Sequence, residues 1–216
     1  MIVAEALRRR RLQFLASQFA RPSGLVGRWW IGAWLDRLSR DMNRAAFEAL
    51  APAAGERVVE IGFGGGDLLR MVLDEPVERV LGVDISDAMV KRAGRRFRNE
   101  ISAGRLQLSL GSAESLPLGD GEADELCSVN NIYFWDEPQD VIEEFARVLT
   151  PRGKAVICLE TPASLRAWPG HRYGFQLHEP EKVAAMLTRS GFITATVSRH
   201  ADPKLGEFAT VTAVRS

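Results

Sequence analysis

Neither sign of charge is in excess in this chain: 28 basic residues face 28 acidic ones, and the formal net charge is zero. A protein built to sit on nucleic acid carries a basic excess or stripe, because phosphate neutralisation dominates its affinity. That class is therefore not expected. Long hydrophobic runs are missing too. No stretch approaches the ~18 apolar residues of a membrane-spanning helix, so no integral membrane association is expected. Cysteine is scarce, with only Cys127 and Cys158. Both fall in apolar runs that read as strands and lack metal-ligand spacing, so they read as small core residues of a reduced, cytoplasmic protein with no metal.

What remains is ordinary for a folded domain. In 216 residues, 46% are hydrophobic and 26% charged, which excludes disorder and a disulfide-held scaffold. The N-terminus is apolar over Met1–Leu7 and basic over Arg8–Arg11, the reverse of a secretory signal. An Arg-rich presequence and contact with anionic lipid both stay open for this cluster. The plainest reading is a solvated helix face with Leu7, Leu12, Leu15 and Phe19 turned inward. A break at Arg21-Pro22-Ser23-Gly24 precedes a second helical pattern over Val26–Leu50. Its stripe includes Trp29, Trp30, Ala33, Trp34, Leu38, Met42, Ala45, Ala46 and Leu50, read as aromatic anchors for the appendage rather than a ligand box. Residues 1–53 form a helical extension on this reading, and 54–216 the main domain.

From Arg57 onward the pattern alternates. Strands are predicted over 57–61, 77–83, 105–110, 122–129 and 153–159, the last after a Pro151-Arg152-Gly153 turn. Helices are predicted over 67–73, 86–97, 138–149 and 179–190. Two final strands, 192–199 and 207–214, have no helix between them and must pair antiparallel. Strand–helix alternation implies right-handed crossovers. The fold class expected is α/β: a three-layer sandwich, Rossmann-like, around a seven-stranded, mostly parallel sheet.

The chemistry concentrates in Val58-Val59-Glu60-Ile61-Gly62-Phe63-Gly64-Gly65-Gly66-Asp67. A strand runs into a glycine turn that opens a helix, at the strand end where open α/β sheets bind ligands. The dinucleotide fingerprint G-x-G-x-x-G would need its third glycine where Asp67 stands. Here the spacing is G-x-G-x-G, with Glu60 just upstream. Carboxylates at Glu60 and Asp67 suit a zwitterionic amino-acid tail beside a sulfonium better than a pyrophosphate, which points to S-adenosylmethionine rather than NAD. The next strand ends in Asp84, an acid able to accept two ribose hydroxyls. A dinucleotide site also places an acid there, so Asp84 alone does not discriminate.

With these blocks in order, the sequence resembles the class I S-adenosylmethionine-dependent methyltransferases, in particular the small-molecule branch that includes the ubiquinone/menaquinone-biosynthesis C-methyltransferases. The resemblance covers roughly residues 54–215. It also rests on Gly111-Ser112-Ala113-Glu114-Ser115-Leu116-Pro117-Leu118, on Val148-Leu149-Thr150-Pro151-Arg152-Gly153-Lys154, and on Gly191-Phe192. It implies that Glu60, Gly62, Phe63, Gly64 and Gly66 line the methionine end. Asp84 would hold the ribose and Ile85 an adenine face. Ser112 stands where the family usually has Asp or Asn on the adenine amino group, leaving Ala113 or Glu114 to serve it. Asn130 and Asn131 would lie beside the transferred methyl.

Two segments fall where an acceptor would sit. One is Asn130–Asp136. The other is a long loop from Glu160 to His178 carrying Trp168, His171, Tyr173 and Phe175. They suggest a small, aromatic or apolar acceptor with His171 or His178 as base; each histidine also reads as a loop-packing residue, and His200 is given no role. The sequence leaves open the acceptor, its attacking atom and the oligomeric state. It also leaves open an idle cofactor-binding module and a nicotinamide oxidoreductase with a variant glycine loop.

Overall fold

The computed structural model describes residues 2–20, 39–203 and 206–216. Seven strands form one sheet in the order β3-β2-β1-β4-β5-β7-β6. They are β1 (Arg57–Ile61), β2 (Arg79–Asp84), β3 (Leu106–Leu110), β4 (Ala123–Val129), β5 (Leu149–Glu160), β6 (Phe192–Asp202) and β7 (Gly206–Arg215). β1 through β5 pair in parallel, and β7 lies antiparallel between β5 and β6. The order reverses between β1 and β4, and that crevice at the carboxyl ends is where ligands bind in such sheets.

The two faces bury different helices. Along β1, β4 and β5, Val58, Cys127, Val156 and Cys158 share one cluster with Leu68, Leu69, Met89 and Phe97. These come from α3 (Asp67–Leu73), α4 (Asp87–Arg96) and the junction before α5 (Arg98–Ser102). The opposite cluster packs Val59, Leu126 and Ile157 on Val141, Phe145, Val183 and Leu187. Those belong to α6 (Pro138–Val148) and α8 (Pro180–Arg189). Alternation along buried strands thus feeds both cores. Both cysteines are free and buried, as core residues should be.

Local signals set the helix starts. Ser86 caps α4 by accepting the Met89 N–H, with Asp87 in the first turn and Arg95 and Arg96 in the last. Pro138 and Pro180 open α6 and α8, where a missing N–H costs nothing.

Several expectations need correction. α1 (Ile2–Ala20) forms, but Leu7 and Leu15 are exposed. The helix instead buries Ala16 and Gln18, and Phe19 rests on the loop beyond β5. Arg8–Arg11 are exposed as expected. Of the second predicted helix, α2 (Arg40–Leu50) is described, and it buries Met42, Ala46 and Leu50 in the sheet's own core. Trp29, Trp30, Ala33, Trp34 and Leu38 lie outside the described residues. Pro151-Arg152-Gly153 is not a turn ahead of a strand but a bulge inside β5. Pairing jumps there from Ala123↔Leu149 to Glu125↔Lys154, with Arg152 at φ 69°. The Glu160–His178 loop contains α7 (Pro162–Ala167) and a 3-10 turn, Pro169–Arg172.

Candidate functional site

The carboxyl ends of β1 and β2 meet through one carboxylate. Asp84 is buried, and its Oδ2 accepts the Gly64 N–H at 3.0 Å while Oδ1 accepts the Ser86 N–H at 2.8 Å. Burial pushes its pKa up, and the two N–H groups pull it back down. Two carboxylate oxygens offer about four acceptor sites, so two remain for ligand hydroxyls.

Three glycines of the loop have distinct reasons. Gly62 has φ 69°, and a Cβ there would lie 2.1 Å from Asn131 Oδ1. Gly66 has φ 84°, and a Cβ there would meet the Phe97 ring at 2.7 Å. Gly64, at φ 49°, has no atom of the described residues, its chain neighbours apart, within 4 Å of where its Cβ would point. Gly62 and Gly66 serve the fold and Gly64 opens space. Phe63 is buried against the face of β2, near Gly82, and Glu60 is buried on β1.

Beyond the acid, Ile85 and Leu110 are exposed at 45% and 53%. These large apolar side chains stand at the ends of β2 and β3, flanking Asp84 and Ser112. Ala113 is buried, and Glu114 is exposed. Among the described residues, no hydrogen bond engages the Ser112 hydroxyl or the Glu114 carboxylate. S-adenosylmethionine fits these features: open space at Gly64 for the methionine end, free acceptor sites on Asp84 for the ribose, and apolar faces for adenine.

Asn130 and Asn131 are both engaged. Asn131 Nδ2 donates to Val129 O at 2.7 Å and Ile61 O at 2.9 Å, bracing β4 against the glycine loop. Asn130 has φ 58°. Its Nδ2 donates to Ser39 Oγ at 3.2 Å, and its Oδ1 accepts the Tyr133 hydroxyl at 3.0 Å. The Tyr133 oxygen in turn accepts the Glu160 N–H.

Over this end lies an aromatic wall. Phe175 stacks near Tyr133 at 5.7 Å and meets Phe134 edge-on at 4.6 Å and Trp168 at 5.4 Å. Phe19 of α1 closes on Trp168 at 5.0 Å. His171 Nδ1 is hydrogen-bonded to Trp168 O at 2.6 Å. His178 Nε2 is buried with no hydrogen-bond partner among the described residues, and burial, then Lys182, lowers its pKa. His200 stacks on Phe208 at 4.8 Å, away from the glycine loop on β6.

Sequence reasoning missed two residues, and the chemistry of a third. Arg96 donates to Gly65 O at 2.6 Å and to Asp67 Oδ1 at 2.8 Å, so the Asp67 charge is matched within the protein rather than offered to a ligand. Leu110 looked like an ordinary strand residue. Glu160, the last residue of β5, has a carboxyl pushed up to about 7, by burial first and then by Asp202.

Comparison with known proteins gives the family. The family described as "Methyltransferase domain" matches residues 59–157. The ubiquinone/menaquinone biosynthesis C-methyltransferase UbiE of Methylobacterium nodulans is 30% identical over 185 residues, covering 80% of this chain and 70% of that protein. The chain belongs to the class I S-adenosylmethionine-dependent methyltransferases. Erythromycin 3''-O-methyltransferase of Saccharopolyspora erythraea is 30% identical over 144 residues, 65% of this chain and 47% of that one. The chain spans 47% to 66% of the length of that and several other curated relatives. A solved S-adenosylmethionine-dependent methyltransferase from Aquifex aeolicus shares the fold at TM-score 0.69 and 19% identity, covering 86% of this chain and 97% of that one. Among the described residues no helix is long and apolar enough to cross a membrane.

Proposed function

We propose that this methyltransferase-family chain moves a methyl group from S-adenosylmethionine to a small organic acceptor, at oxygen or carbon. The observation that carries the reading is the pairing of open space at Gly64 with a buried Asp84 that accepts two backbone N–H groups and has acceptor sites left for ligand hydroxyls. The cofactor supplies a sulfonium-bound methyl for in-line displacement. The protein's part is alignment and exclusion of water. Asp84 fixes the ribose, Gly64 admits the methionine end, and Ile85 and Leu110 cover the adenine. The wall of Tyr133, Phe134, Trp168 and Phe175 favours a flat or apolar acceptor between β4 and the segment after β5. Similarity to enzymes named for C-methylation and for O-methylation supports both outcomes equally.

The alternative is a module that binds the cofactor and transfers nothing. The test is a thermal melt with S-adenosylmethionine, S-adenosylhomocysteine and NAD, followed by a screen of phenols, quinols and carbon acids. Ligand at about 100 times its Kd adds ~2.7 kcal/mol. The reading expects a shift with the first two ligands only, then label transfer to at least one acceptor. A shift with NAD alone would sink it.

A further inference from the structure

Building on methyl transfer, we propose that Glu160 is the proton acceptor of the reaction and that the group it deprotonates is a hydroxyl on the acceptor. Glu160 ends β5, the strand next to β4 on the side away from β1. With the ribose acid on β2 and the glycine loop after β1, an acceptor reaches the methyl from the β4–β5 side, where Glu160 stands.

Its backbone is held and its carboxylate is not. The Tyr133 hydroxyl accepts the Glu160 N–H and donates to Asn130 Oδ1, and Asn130 is tied in turn to Ser39. This chain fixes the end of β5 without engaging the acid. Among the described residues, no hydrogen-bond donor or cation reaches the Glu160 carboxylate. The contrast with Glu144, which takes Arg147 at 2.6 Å and the Leu116 N–H at 2.6 Å, is direct. A general base needs a free lone pair within reach of its proton.

The surroundings hold that lone pair ready near neutrality. Asp202 on β6 is the acidic neighbour, Cys158 lies on the same strand, and Tyr133 contributes only its neutral hydroxyl. Across β7 the residue paired with Glu160 is the apolar Phe208. Behind it His200 is stacked on that ring, with its Nε2 3.1 Å from Thr210 Oγ1. Burial and Asp202 together push the Glu160 carboxyl up to about 7, where a base works best at neutral pH.

The step balances. The acceptor oxygen forms a bond to the methyl carbon as the sulfonium–methyl bond breaks. The O–H proton passes to the Glu160 carboxylate, and the sulfonium leaves as a neutral thioether. The methyl ether, S-adenosylhomocysteine and a protonated Glu160 result, with charge conserved.

The test uses Glu160→Gln and two probe acceptors in mildly alkaline buffer: phenol, which must lose its proton in the site, and 4-nitrophenol, which arrives ionised. The substitution should lower kcat for phenol by about 100-fold or more, the usual worth of a general base. Transfer to 4-nitrophenolate should stay close to wild type. Calorimetry should give an unchanged S-adenosylmethionine affinity, showing the variant folded. Carboxyl NMR of glutamate-labelled protein should lose one group titrating near neutrality, a readout independent of turnover. Equal loss with both phenols, no loss with phenol, or an unaltered carboxyl titration would each overturn the assignment. If the wild-type chain methylates a carbon acid such as acetylacetone but neither phenol, this proposal falls and methyl transfer stands. If it binds no S-adenosylmethionine and methylates none of the three, methyl transfer falls first and takes the proposal with it.

Discussion

The two ends of the sheet treat charge in opposite ways. At the amino ends of the strands, Arg57 grips Asp124 with two bonds of 2.9 Å, and the same carboxylate accepts the Arg57 N–H at 3.0 Å. Arg147 gathers Glu144, Asp120 and Leu118 O, all within 2.9 Å. At the carboxyl ends, among the described residues, Asp84 is held only by backbone N–H groups, and neither the Glu160 carboxylate nor His178 Nε2 has a hydrogen-bond partner. Ile85 and Leu110 leave apolar surface uncovered there. Buried polar groups without partners cost stability. One rim is stapled; the other, apart from Asp67 paired with Arg96, keeps its groups available for ligands.

The rims therefore differ in how they answer pH. Arginine neighbours hold Asp124 and Glu144 below the usual carboxylate range. Their stabilisation is present above the unfolded-state pKa and is lost as pH falls through the folded one. Glu160 works in the opposite sense. Between its ordinary 4.5 and about 7 the folded chain keeps a proton that the unfolded chain has released, so stability falls as pH rises through that window. Glu125 departs from the pattern at its rim. It pairs with Lys154 at 3.4 Å, yet burial drives it to about 8.

Substitutions at paired positions break the comparison. The largest effect should come from Gly62→Ala set beside Gly64→Ala. Both force a left-handed residue, costing about 1–2 kcal/mol. Only Gly62 also drives a Cβ into Asn131, an overpacking cost of another ~1–3 kcal/mol. Denaturant unfolding should find Gly62→Ala markedly less stable, while calorimetry should find that Gly64→Ala folds and loses cofactor affinity. Comparable stabilities would mean that Asn131 does not brace the loop.

Next in size is Asp84→Ala, expected to weaken S-adenosylmethionine binding by roughly 1.5–3 kcal/mol. Its stability should change little, because the lost backbone contacts are offset by removing a buried charge. Unaltered affinity would refute the ribose role. Asp124→Asn should do the reverse, costing about 1–2 kcal/mol of stability at neutral pH with cofactor affinity intact. If Asp124→Asn weakened binding as much as Asp84→Ala, the division of labour between the rims would be wrong.

Much of this was legible in the residues because it is local. Strand–helix alternation gave the layers, the glycine spacing gave the loop, and an acid after Val80–Val83 gave the strand tip. The missing helix between the last strands fixed their antiparallel pairing. What was not legible depends on partners far apart in sequence. Tyr133 reaches Glu160 and Arg96 reaches Gly65 through the folded sheet, and no spacing in the chain announces either. The inward face of α1 was misread because Leu7 and Leu15 outweigh Ala16 in hydrophobicity, while a small residue suits close packing. α7 did carry a signal: Thr161 followed by Pro162 is a cap and first-turn pair, overlooked inside a segment read as loop.

Leu110→Ser gives the smallest effect and the sharpest discrimination. A large apolar side chain 53% exposed at a strand end contributes little to the fold, so the melting temperature of the free protein should scarcely move. If that surface covers the adenine, S-adenosylmethionine affinity should fall about fivefold, the ~1 kcal/mol expected of a partly buried apolar face. Methionine binds without an adenine, so any weak affinity for it should be unaffected. A variant that lost melting temperature and kept its cofactor affinity would make Leu110 a packing residue. The open rim would then end at Asp84, and Ile85 would be left as its apolar face.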